Sequence, residues 1–209
     1  FLSKALLIAV FMITLIIVAQ FNSFSAPTVI MLTVVLSLIG VLLGLVITQQ
    51  NFVVMMTMIG IISLAGVVVN NAIVLIDFTN MLRKDKREVL GLKEDEILPY
   101  EEVVDAAIEA GKTRLRPVLL TAITTILGLI PLAIGFNIDF FIFFSSYDAK
   151  IYFGGDNNIF FSPMSWTIIY GLTFATFLTL IVIPSLYLLT YRIKLSVYRF
   201  FNWKLTSNV

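Results

Sequence analysis

Cysteine and histidine are both absent from the 209 residues. The first absence excludes disulfides and thiolate metal sites, and the second removes the commonest metal ligand and general base. No nucleophile and base stand at useful spacing either, so neither an enzyme nor a cofactor site is expected, and nothing calls for a nucleic-acid partner. Charge is also scarce, at 13% of residues against 59% hydrophobic. That leaves too little polar surface to cover a soluble globule, and the chain belongs in a bilayer.

What the chain does have is long apolar runs. Five of them, 5–24, 27–47, 53–78, 118–136 and 166–189, are long enough to cross about 30 Å of hydrocarbon at about 1.5 Å per residue. The expected fold is therefore all-α, a polytopic membrane bundle of five transmembrane helices plus one surface helix.

The basic residues give these spans a direction. Arg83, Lys84, Lys86, Arg87, Lys93, Lys112, Arg114 and Arg116 crowd the loop 81–117, and Arg192, Lys194, Arg199 and Lys204 follow the last span. The positive-inside bias puts both segments, and the C-terminus, in the cytoplasm. Phe1 then lies outside with no signal-peptide pattern ahead of it, as expected for the C-terminal part of a longer chain; a signal-anchor protein is the rival reading.

Between the spans, the polar break before Pro27 predicts an antiparallel hairpin of the first two helices. Gly40 and Gly44 have GxxxG spacing, suited to close packing or to an oligomer contact. Pro99, Glu101 and Glu102 suit the start of a helix over 99–112 that carries Val103, Ala107 and Ala110 on one face and lies along the membrane surface. The aromatic-rich segment 137–165 predicts an interfacial anchor on the outer face, with a substrate site as the alternative. Thr173, Thr176 and Thr179 recur on the last span, which Pro184 is expected to bend.

The third span holds the main anomaly. Gly60, Ser63, Gly66, Asn70 and Asp77 are spaced to share one helical face, and Asn71 makes a polar pair with Asn70. Amides at that depth are costly in hydrocarbon, so the face is expected to look into the bundle. On the fourth span Arg114 and Thr121 stand two turns apart with Pro117 between them, loosening the helix. Asn70 lies about 12 Å, and Thr121 about 5 Å, from the inner ends of their spans. These residues are either interhelical glue or part of a proton or ion pathway. No acid lies at mid-span, because Asp77 is close to the headgroups, so a proton acceptor must come from another segment.

Three sequence blocks match a known pattern: the run from Gly66 through Asn70-Asn71 to Asp77-Phe78, Arg114-Leu-Arg-Pro-Val-Leu-Leu-Thr121, and Gly128-Leu-Ile-Pro131-Leu. In order and separation they resemble the C-terminal membrane half of resistance-nodulation-division efflux permeases of the acriflavine-resistance type. The resemblance implies the eighth to twelfth helices of a twelve-helix, homotrimeric, bacterial inner-membrane antiporter. It further implies proton-driven export of small amphiphilic substrates, contact with membrane lipid, and work with a periplasmic adaptor and an outer-membrane channel. Carried over by motif, Asn70, Thr121 and Arg114 become the partners of a proton-accepting carboxylate pair, with Asn71, Ser63 and Asp77 as supporting polar groups. Well-known drug exporters of the family have a lysine where this chain has Asn70, so a charge-switching ammonium is not implied here. Export of a native lipid or hydrophobic metabolite, and a purely structural assembly role, remain alternatives.

Overall fold

A computed structural model of the chain describes residues 2–21, 25–92, 98–138 and 151–206. Among these residues five helices dominate: α1 (Leu2–Phe21), α2 (Ser25–Ile47), α3 (Val54–Val89), α4 (Tyr100–Ile134) and α5 (Asp156–Thr206). Each is long and apolar enough to cross a membrane. The all-α expectation is met, with one small addition. Strands β1 (Phe136–Ile138) and β2 (Ile151–Phe153) form an antiparallel ribbon in which Asn137 pairs with Tyr152.

The chain packs around α5, which contacts α2, α3 and α4, while α1 rests on α2 and α3. Ile30 and Val41 of α2, Leu64 and Val68 of α3, and Leu172 and Ile183 of α5 lie in one apolar core. Close approach of α2 to α5 depends on Gly40 and Gly44. A Cβ at the first would overlap Phe174 and at the second Tyr170, so the GxxxG pair serves packing within the chain. On α1 Ile17 is buried, whereas Leu7, Ile8, Phe11 and Ile16 are exposed, ready to face lipid or another segment.

The region expected as a loop over 81–117 is mostly helix. Helix α3 runs past the apolar span to Val89, with Lys86 and Arg87 in its last turn, where cations suit the dipole. The surface helix expected over 99–112 is not a separate element but the first part of α4. That helix continues through Pro117, which removes one backbone bond without ending it. With 35 residues α4 is about 52 Å long, so part of it must stand beyond the hydrocarbon. At its other end Gly135, with φ of 70°, adopts the left-handed conformation that terminates the helix, and its N–H donates to the Pro131 carbonyl.

The segment 137–165 also differs from a plain loop. It contributes the ribbon and the first turns of α5, which starts ahead of the expected span and passes Pro184 on its way to Thr206. Asn137 Nδ2 donates to the Gly135 and Gly154 carbonyls at 3.0 and 2.6 Å, closing the base of the ribbon. Tyr152, Phe153, Phe160 and Phe161 are exposed there. The other aromatics of that reading, Phe140, Phe141, Phe143, Phe144 and Tyr147, lie outside the described residues, as do the polar break at 22–24 and Lys93.

Candidate functional site

Helix α3 divides its polar residues between two faces. Ser63, Gly66, Asn70 and Asp77 are exposed, whereas Thr57, Gly60, Asn71 and Thr79 are buried against the other helices. The stripe was expected to look into the bundle, and here it looks out of this set of five helices. Its spacing fixed which residues lie together, but the covering surface is not one that these residues supply. Gly60 does not share that face, since it sits on the packed side beside Met164 and Thr167 of α5. Consecutive residues are about 100° apart on a helix, enough to send Asn70 outward and leave Asn71 only 7% exposed.

Neither carboxamide makes a hydrogen bond among the described residues, and Asp77 has no ion-pair partner there. An exposed, unbonded asparagine on a membrane helix is unfavourable next to lipid. Its position therefore demands a polar neighbour or water.

Helix α4 brings the other two candidates to different places. Thr121 is exposed like Asn70, but its Oγ1 donates to the Val118 carbonyl at 2.9 Å rather than across to α3. Thr125 donates back to the Thr121 carbonyl at 2.7 Å, and Thr124 to the Leu120 carbonyl at 2.8 Å with the Thr121 carbonyl at 3.1 Å, just beyond the turn that Pro117 loosens. Arg114 does reach α3, where its guanidinium lies 4.3 Å from the centroid of the Phe78 ring, one residue past Asp77. Its Nε is buried without a hydrogen-bond partner. The structure thus joins Arg114 to α3 but leaves Asn70 and Thr121 unbonded to each other. The threonines of α5 behave as Thr121 does: Thr173, Thr176 and Thr179 all donate to carbonyls of their own helix.

A second polar constellation, which the sequence reading missed, lies where α3 and α5 leave the apolar region at the basic end of the bundle. Arg83 Nη1 donates to the Tyr187 hydroxyl, which donates to Asn80 Oδ1, both at 2.5 Å. The same guanidinium lies 4.7 Å from the Tyr191 ring centroid, and Tyr191 donates to the Leu98 carbonyl at 2.7 Å. Asn80 and Arg83 at i, i+3 and Tyr187 and Tyr191 at i, i+4 were the available signals. Each helix displays such a pair, but only the fold brings the pairs together.

Comparison with known proteins agrees with this architecture. Residues 2–138 match the AcrB/AcrD/AcrF family. The swarming motility protein SwrC of Bacillus subtilis (strain 168) is 36% identical over 186 residues, covering 89% of this chain and 15% of that protein. The multidrug export protein AcrF of Escherichia coli (strain K12) is 37% identical over 117 residues, 56% of this chain and 10% of that protein. In three dimensions the crystal structure of a heavy metal efflux pump superposes with a TM-score of 0.64 at 26% identity, covering 90% of this chain and 16% of the pump. The chain spans only about 9–15% of the length of the relatives it matches. It belongs to the AcrB/AcrD/AcrF family of resistance-nodulation-division efflux permeases, and carries five of the membrane-crossing helices of such a transporter.

Proposed function

We propose that this chain is the C-terminal membrane part of a proton-driven transporter that exports drugs or other amphiphilic compounds, without catalysing a reaction on them. The whole works as a homotrimer in the bacterial inner membrane, with the C-terminus cytoplasmic, and joins a periplasmic adaptor and an outer-membrane channel. The observation that carries this reading is the outward polar face of α3, where Asn70 presents an unbonded carboxamide beside Ser63 and Asp77. The name of AcrF supports drug export as the substrate class.

In this reading the proton-accepting carboxylates stand on the membrane half that covers the open face. When they lose their proton, the Asn70 carboxamide donates to them. The Thr121 hydroxyl rotates away from the Val118 carbonyl to do the same. Asn70 cannot change charge, so the fixed positive charge comes from Arg114, whose unpartnered Nε and position on Phe78 keep it next to the α3 stripe. Differential hydrogen bonding to the charged and neutral acceptor is what biases the bundle between two packings.

The test is substrate export driven by an imposed pH gradient, in vesicles carrying the complete protein with Asn70→Ala. Loss of coupled export with the protein still folded is expected. Unchanged export and proton coupling would remove Asn70 from the relay. Export of a native lipid or hydrophobic metabolite by the same machinery would show as proton-dependent flux of that compound alone, and a structural subunit would show no flux at all.

A further inference from the structure

The Arg83 constellation borders an open cavity of about 270 Å³, lined by Phe21, Asn80, Arg83, Tyr187, Thr190 and Lys194. That volume is several times the ~30 Å³ share of one water molecule. Arg83 is held in place by neutral groups, the Tyr187 hydroxyl and the Tyr191 ring face, and its Nε has no partner. No carboxylate among the described residues pairs with Arg83 or Lys194; the ion pairs found there join Lys86 to Glu102 and Asp105. A pinned guanidinium and an ammonium therefore face one cavity without a counter-charge from the described residues.

The depth and walls of the cavity narrow the ligand further. Arg83 lies five residues past Phe78 at the end of the apolar run, about 7.5 Å along the helix, which is headgroup depth. Phe21 ends α1, a helix whose Leu7, Ile8, Phe11 and Leu15 are exposed along its length. From these observations we propose that the cavity binds the phosphodiester headgroup of an anionic phospholipid, with the acyl chains lying along α1. The planar guanidinium fork matches phosphate oxygens, Lys194 adds a second charge, and basic hollows between membrane helices suit such headgroups.

Native mass spectrometry of the complete protein in detergent, incubated separately with phosphatidylglycerol, phosphatidylcholine and inorganic phosphate, tests the assignment. Phosphatidylglycerol is expected to be retained in preference to phosphatidylcholine. Lys194→Gln is expected to weaken that retention about tenfold, the effect of losing one charge-assisted contact. Arg83→Gln should do at least as much, and Lys112→Gln, on the exposed side of α4, should do nothing. Lys194 makes no contact in the Asn80–Tyr187–Arg83 chain, so its variant reads the site even if Arg83→Gln fails to fold. Equal retention of the two lipids, or wild-type retention in Lys194→Gln, would overturn the site. Displacement of phosphatidylglycerol by inorganic phosphate at millimolar concentration would overturn the lipid as its occupant.

Discussion

The two faces of α3 are made of similar residues and do opposite things. On the packed face, Thr57, Gly60, Ala65, Asn71 and Ala72 are small or polar and let α5 and the other helices come close. On the open face, Ser63, Gly66, Asn70 and Asp77 are just as small or polar and remain exposed among the described residues. Small and polar side chains in a membrane helix are thus not a functional signal in themselves. What separates glue from a coupling site is whether the chain's own helices cover the face.

The largest effect should come from damaging the packed face. Leu64 is fully buried, and it abuts Gly171 so closely that a Cβ on that glycine would overlap it. Leu64→Ala is expected to destabilise the bundle by about 2–5 kcal/mol, while Ser63→Ala, its neighbour on the open face, should change stability by less than ~0.5 kcal/mol. Unfolding of both variants in detergent checks this, and equal midpoints would erase the distinction between the faces. Next in size is the effect of the open face on transport. Asn70→Ala should lower proton-coupled export about 5- to 150-fold, the range of a coupling free energy of ~1–3 kcal/mol, with little change in stability. Asn71→Leu keeps the volume of a buried residue whose carboxamide has no partner, and should leave export at the wild-type rate. If Asn71→Leu were the damaging change, the roles of the two faces would be exchanged. A smaller effect is expected where α4 meets α3: Arg114→Gln and Phe78→Leu should each cost about 0.5–1 kcal/mol and be non-additive in a double-mutant cycle.

The sequence made the five spans legible because long apolar runs have few other uses, and it made Gly40 and Gly44 legible as a packing pair. Helix ends were harder, because hydropathy marks where the bilayer stops rather than where the helix stops. Arg83 to Val89 and Tyr100 to Arg116 are polar enough to leave the hydrocarbon, yet they stay helical beyond it. The period of α3 grouped Ser63, Gly66, Asn70 and Asp77 correctly, but no period tells which segment covers a face, and these five helices do not cover this one. Contacts between distant positions were beyond reach altogether. Arg83 and Tyr187 stand 104 positions apart, and only the parallel packing of α3 alongside α5 brings them together.

The smallest expected effect lies where α3 and α4 emerge from the apolar region. Lys86 Nζ donates to Glu102 Oε2 at 2.8 Å and lies 3.9 Å from Asp105 Oδ2, bridging two helices that leave the bilayer side by side. The side chains of Lys86 and Glu102 are 24% and 37% exposed, so solvent and salt screen the attraction. Beside this pair, Leu98, Val103 and Tyr191 form a buried apolar cluster, which Tyr191 also ties to the Leu98 carbonyl. Apolar burial and a buried hydrogen bond are insensitive to ionic strength in a way that the ion pair is not. Glu102→Gln should therefore cost no more than about 1 kcal/mol at low salt, and the difference should vanish near 1 M salt. A larger cost that persists at high salt would mean that Glu102 holds the protruding ends of α3 and α4 together by more than this screened ion pair.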